Sequence, residues 1–226
     1  MKHKYMTVLI AAAAILAAPA VANFGTNTVL QHRYPVPGSF YGVNGRLMHL
    51  YCTGHGDPTV ILDAGGGNDW LIWQKVQPEV AKTMRVCSYD RGGTGWSEPQ
   101  SGVMDAKNIS QQLHLLLKTA GEKPPFVLVA ASVAGFYARQ YLDRYPAEVA
   151  GLVLVDSSTP EQIAEIPGSG YSPQLIRQKH REVMLEWWKE VSGWALLKGD
   201  CKPDLEPGLE SYGNFAARRC AGLLTL

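Results

Sequence analysis

The sequence carries almost no net charge, with 21 Lys and Arg against 20 Asp and Glu. Without a field of one sign it has no electrostatic grip on nucleic acid or on an acidic membrane surface. Charged residues are sparse at 18 %, whereas 46 % of the chain is hydrophobic, which excludes intrinsic disorder and provides for a sizeable core. A membrane-spanning run is missing too: the apolar stretch from Thr7 to Ala18 covers about a dozen residues, short of the roughly 20 that a bilayer requires. Only four cysteines occur, Cys52, Cys87, Cys201 and Cys220, and neither a CxxC pair nor a Cys/His spacing of zinc-site type is among them. No metal and no other cofactor is expected, and the expected partner is a small molecule.

What is present begins with a leader. Lys2, His3 and Lys4 precede the apolar stretch, and Ala20-Val21-Ala22 supplies small residues for cleavage. Residues 1–22 therefore read as a secretory signal removed after Ala22, with an uncleaved anchor as the alternative. Loss of Lys2 and Lys4 changes the balance from 21 against 20 to 19 against 20, so the mature chain is near neutral. A periplasmic or secreted location without a stable membrane anchor follows, and in an oxidising compartment the four cysteines become disulfide candidates with three pairings open.

From Arg46 to Ser158 short apolar runs alternate with stretches of helical period, the pattern of an α/β protein with a mostly parallel sheet between helices. Strands are predicted at Leu47–Cys52, Thr59–Leu62, Val86–Tyr89, Phe126–Val129 and Leu152–Val155, and the last two read as fully buried. Asp105 caps a helix whose Ile109, Leu113, Leu116, Leu117 and Ala120 share one face, closed by Gly121. A second helix follows Ser132 and stops at Tyr145-Pro146, and a third follows Pro78. Beyond Ser158 the strand pattern ends in a turn-rich linker. An apolar stripe of Val183, Met184, Trp187, Trp188, Val191, Trp194 and Ala195 then marks a helical stretch over Gln174–Lys198.

Val127 to Gly135 is a buried strand running into a helix through a turn with Ser132 at its tip. Such a turn strains the serine and demands small residues two before and two after it, here Ala130 and Ala134 in place of the glycines of G-x-S-x-G. Alone, this pattern is weak and better suits an ordinary helix-capping serine. About forty residues earlier, however, stands Ser88-Tyr89-Asp90-Arg91-Gly92-Gly93-Thr94-Gly95-Trp96-Ser97, and before it Ile61-Leu62-Asp63-Ala64-Gly65-Gly66-Gly67. With Val153-Leu154-Val155-Asp156 after the serine, the ordered set from Gly38 to Ser158 resembles the α/β-hydrolase superfamily.

That resemblance implies a nucleophilic Ser132, with the N–H groups of Gly66 and Val133 as oxyanion donors. It gives Asp90 and Arg91 a mainly structural role in pinning their turn. A serine at the tip, where relatives that open epoxides or remove halides carry aspartate, implies cleavage of a small ester or amide through an acyl-enzyme. The strand order of the fold sets Cys52 beside Cys87, so these would pair, leaving Cys201 to Cys220. Residues 23–158 would form the N-terminal part of the hydrolase core, and residues 159–226 an incomplete helical cap.

The family's triad runs serine, acid, histidine, and the last two follow later strands that this sequence does not show. His3, His32, His49, His55, His114 and His180 all read as structural, so no catalytic histidine is assigned. Asp156 is the only candidate acid, although a structural role suits it better. The expectation is an exported serine hydrolase, carboxylesterase-like, truncated at its C-terminus and weak or inactive as it stands. Its final strand would be an apolar edge that lowers solubility. The alternative is a non-catalytic protein that binds a small ligand on the same fold.

Overall fold

The computed structural model describes residues 36–159, together with Met6, Arg181, Glu182 and Leu185. Six strands form one sheet: β1 Ser39–Val43, β2 Arg46–Thr53, β3 Thr59–Asp63, β4 Val86–Tyr89, β5 Phe126–Ala131 and β6 Val149–Val155, in the order β1-β2-β4-β3-β5-β6. β1 and β2 form an antiparallel hairpin and β2 lies antiparallel to β4, whereas β3, β4, β5 and β6 run parallel. The turns that follow β3, β4, β5 and β6 consequently gather at one edge. The chain passes from β3 to β4 on one side of it and from β4 back over β3 to β5 on the other, and such a reversal of strand order opens a crevice at the carboxyl ends of the strands.

Three helices accompany the sheet: α1 Val76–Val80, α2 Ala106–Ala120 and α3 Ala134–Arg144. α2 starts where Asp105 accepts a hydrogen bond from the Asn108 N–H at 2.8 Å and ends at Gly121. Its buried Ile109, Leu113, Leu116 and Leu117 confirm the predicted face. Leu113, Leu116 and Leu117, with Ala134, Ala138 and Tyr141 of α3, pack on Leu50, Tyr89, Phe126 and Leu128 of the sheet. A smaller cluster of Val60, Leu62, Trp73 and Val86 fills the opposite face under Val80, Ala81 and Met84.

Two expectations are corrected. The helix placed after Pro78 is α1, which begins two residues before it; an N–H in the first turn has no intrahelical acceptor, so proline is tolerated there. Neither strand expected to be fully buried is so: β5 alternates buried and half-buried residues, and Leu152–Val155 is the last four residues of β6, with Val153, Leu154 and Val155 exposed. Among the described residues β6 pairs only with β5, so its outer edge is open, although Val149 and Leu152 still pack against the core. The short helical turn Trp70–Trp73, capped by Asp69 accepting from the Leu71 N–H at 3.0 Å, had no forecast.

Cys52 and Cys87 face each other across β2 and β4 and are joined by a disulfide. Cys201 and Cys220, the leader of residues 1–22 apart from Met6, and most of residues 159–226 lie outside the described residues; Arg181, Glu182 and Leu185 are helical and exposed. Closing a loop with a sequence separation of 35 restricts the unfolded chain by about 2–4 kcal/mol. The double variant Cys52→Ala/Cys87→Ala should therefore lose about that much unfolding free energy in urea titration. An unchanged midpoint would mean that the strand pair is held without the bond.

Candidate active site

β5 delivers Ser132 to the gathered edge of the sheet. The residue adopts φ +52°, the left-handed region, while its side chain stays exposed. For a residue with a Cβ this conformation costs about 1–2 kcal/mol, so the surroundings must impose it. The Ser132 N–H donates to the Val155 carbonyl at 3.1 Å, and the Ser132 carbonyl accepts from Gly135 N–H at 3.0 Å and Ser158 N–H at 2.9 Å. α3 thus starts on one side of the serine and the turn after β6 clamps it from the other.

Ala130 and Ala134 are fully buried, as small residues flanking such a turn should be. The tightest position is one residue further on: a methyl on Gly135 would lie 2.8 Å from the Ser157 Cβ and 3.0 Å from the Ser158 carbonyl oxygen. That requirement was missed, because it comes from the turn after β6 and not from the local pattern. Arg139 holds the same turn, donating from Nη1 to the Ser158 carbonyl at 2.8 Å, and the Ser157 hydroxyl donates to the Ala130 carbonyl at 2.6 Å.

The turn after β3 lies directly against the serine. A methyl on Gly65 would sit 3.4 Å from the Ser132 Cβ, and one on Gly66 would sit 3.4 Å from Val133 Cγ1. Three of the four predicted site residues, Ser132, Gly66 and Val133, are therefore brought together. The fourth, Asp156, is exposed at φ +45° in the turn after β6. It stands on the same rim as Ser132 but makes no ion pair among the described residues.

Beneath the two turns lies a buried polar cluster. Asp90 Oδ1 accepts from the Trp70 N–H at 2.8 Å and its Oδ2 from the Trp96 N–H at 2.9 Å, with His49 Nδ1 2.9 Å from Oδ2. A methyl on Gly95, which has φ +51°, would fall 2.4 Å from the Asp90 carboxylate, so only glycine fits that place. Arg91 Nη1 donates to Asp63 Oδ1 and to the Ala64 carbonyl, each at 2.5 Å, and Nη2 donates to the Gly65 carbonyl at 2.6 Å. Burial raises the Asp63 carboxyl above its ordinary value although Arg91 opposes it. Burial also works against the Arg91 charge, but Asp63 together with Tyr89 and Tyr137 outweighs it and holds the guanidinium above its ordinary value. Burial, followed by the charge of Asp63, lifts the Tyr89 phenol well above its usual range.

Among the described residues no histidine is brought to Ser132. Both His49 nitrogens are engaged, Nδ1 by Asp90 and Nε2 by the Pro37 carbonyl at 2.6 Å. His114 sits against Glu148 at 3.1 Å and stacks on Tyr145 with 4.1 Å between ring centres. Glu148 precedes β6, so this contact lies at the opposite end of the sheet, as does the exposed His55 between β2 and β3. The one described cluster of metal-type ligands, Cys52, Cys87 and Glu122, has both sulfurs tied in the disulfide.

The strain at Ser132 is measurable. Ser132→Gly should raise unfolding free energy by about 0.5–1 kcal/mol, since glycine adopts φ > 0 freely but adds entropy to the unfolded chain. Loss of stability in a denaturant titration would contradict the left-handed backbone.

Comparisons with known proteins bear on the fold that carries this site. A family model described as the alpha/beta hydrolase fold matches residues 58–201. The uncharacterised Bacillus subtilis protein YbdG is 24 % identical over 205 residues, which is 78 % of this chain and 62 % of YbdG. The chain spans less than two thirds of the length of the first curated relatives it matches, from 17 % to 62 %. Among solved structures, a thermophilic esterase from Thermogutta terrifontis superposes with a TM-score of 0.54 at 18 % identity, over 84 % of this chain and 72 % of the esterase. The epoxide hydrolase CorEH superposes with a TM-score of 0.53 at 17 % identity, over 83 % of this chain and 72 % of CorEH; at such identities these likenesses show the fold alone. The family match covers more than half of the sequence, and the chain belongs to the alpha/beta hydrolase fold family.

Proposed function

We propose that the protein is an exported serine hydrolase whose Ser132 attacks a small ester. The observation that carries this reading is the left-handed, exposed Ser132 facing the Gly65-Gly66 turn at van der Waals distance. The Ser132 oxygen bonds to the substrate carbonyl carbon while its proton passes to a base, and the carbonyl electron pair becomes an oxyanion. The N–H groups of Gly66 and Val133 receive that oxygen, the second with the help of the α3 dipole. Collapse expels the alcohol with the proton and leaves an acyl-Ser132, which water then cleaves to the acid. Serine at the tip, in place of aspartate, supports ester cleavage over epoxide opening.

Export is part of the same proposal. Its support is the basic and apolar leader with Ala20-Val21-Ala22, joined by the Cys52–Cys87 disulfide, a bond that persists in oxidising compartments.

One observation favours a second reading, a protein that binds a small ligand without turnover: no described histidine reaches Ser132. Without a base beside Ser132, turnover would fall to what the oxyanion donors and binding alone supply. A fluorophosphonate probe separates the readings. The full chain should be labelled and Ser132→Ala should not, by intact-protein mass; an unlabelled wild type leaves only the binding reading.

A further inference from the structure

Resting on the reading of Gly66 as an oxyanion donor, we propose that Arg91 is the positioning residue of the oxyanion site, aiming the Gly65 and Gly66 N–H groups by holding the carbonyls of the preceding peptides. A trans peptide is planar, with its C=O and N–H pointing in opposite directions. The Ala64 carbonyl shares a plane with the Gly65 N–H, and the Gly65 carbonyl with the Gly66 N–H. Arg91 Nη1 takes the first carbonyl at 2.5 Å and Nη2 the second at 2.6 Å. Both N–H groups are thereby turned away from the guanidinium.

The clamp is needed because Gly65, Gly66 and Gly67 follow one another. Glycine peptides reorient at little steric cost, so the bare turn does not encode where its amides point. The only other described hold on the Gly65 carbonyl is the Asn68 N–H at 3.3 Å, a contact within the same turn that can follow it as it moves.

Arg91 itself is fixed from three sides. Asp63 at the end of β3 pairs with it, the ring of Tyr137 on α3 lies 5.4 Å from its guanidinium carbon, and its neighbour Asp90 anchors the local backbone. Tyr137 belongs to the helix that starts beside Ser132, so one buried cation relates the nucleophile's helix to the facing turn. A planar fork can serve three acceptors from two nitrogens; a lysine ammonium neutralises Asp63 but lacks the fixed paired geometry.

The test compares full-length wild type with Arg91→Lys and Arg91→Met, each first shown to be folded by urea titration. Ser132 labelling by a fluorophosphonate should slow about 10- to 100-fold in both, short of the roughly 10²–10³ that deletion of an oxyanion donor costs. The 31P resonance of the adduct should move towards that of the urea-unfolded adduct, as the phosphoryl oxygen loses its donors. In the unlabelled protein the Gly65 carbonyl 13C and Gly66 amide resonances should shift. A purely structural Arg91 would alter the urea midpoint while leaving these signals in place. Ser132 labelling in Arg91→Lys within twofold of wild type, with the 31P signal unmoved, would overturn the proposal. Should wild type resist labelling, the nucleophile assignment fails on its own. The Gly65 and Gly66 resonances still decide whether Arg91 aims the amides, since their constancy in Arg91→Lys would sink that claim.

Discussion

The carboxylate of Asp90 is the knot on which the site end of the sheet depends. It is fully buried, and its two oxygens meet three donors from separate stretches of chain: His49 on β2, Trp70 after β3, and Trp96 in its own turn. A buried carboxylate is expensive unless its lone pairs are occupied, so each donor is held as firmly as the carboxylate needs it. The Ser97 hydroxyl extends the knot, donating to the Asp90 carbonyl at 2.7 Å and accepting from the His49 N–H at 2.9 Å. Side chains that resemble a catalytic acid and base are here spent on holding one strand and two loops in register.

Arg91 passes this rigidity to the turn after β3, and the turn after β6 does the same for Ser132. The strain of about 1–2 kcal/mol at Ser132 is smaller than the sum of what opposes its release. Three backbone hydrogen bonds, each worth about 1 kcal/mol net, converge on this one residue. Relaxing φ would break them and drive Gly135 against Ser157. The exposed hydroxyl is therefore presented by the packing around it and not by any bond of its own.

Much of this was legible from the residues because it is local. The bounds of α2 follow from Asp105 and Gly121, which end a helix by satisfying or redirecting its own backbone. The strand Val86–Tyr89 and the serine turn after β5 follow from runs of apolar residues with their punctuation. What escaped is non-local. Gly135 is crowded by Ser157, Gly95 by Asp90, and the exposure of Val153 to Val155 depends on which strands lie beside β6. The part played by Arg91 could be read only as far as the motif D-R-G, since its acceptors lie on the turn after another strand. Local patterns state what a segment can form, whereas close approach is settled by the partner.

The two sides of the sheet are secured very differently, which bears on the accuracy of the site. On the β2–β4 side a covalent bond and the Asp90 knot hold the strands together. On the other side the Ser132 backbone is fixed by Val155 at the end of β6 and by Ser158 in the turn after it, and among the described residues β6 pairs only with β5. Val153, Leu154 and Val155 are exposed there, so little apolar burial opposes fraying of that edge. The Gly65-Gly66 turn is thus anchored to the rigid half of the sheet and the serine to the softer half. Their separation is set across the β3–β5 pair, and whatever steadies β6 steadies the distance between hydroxyl and amides.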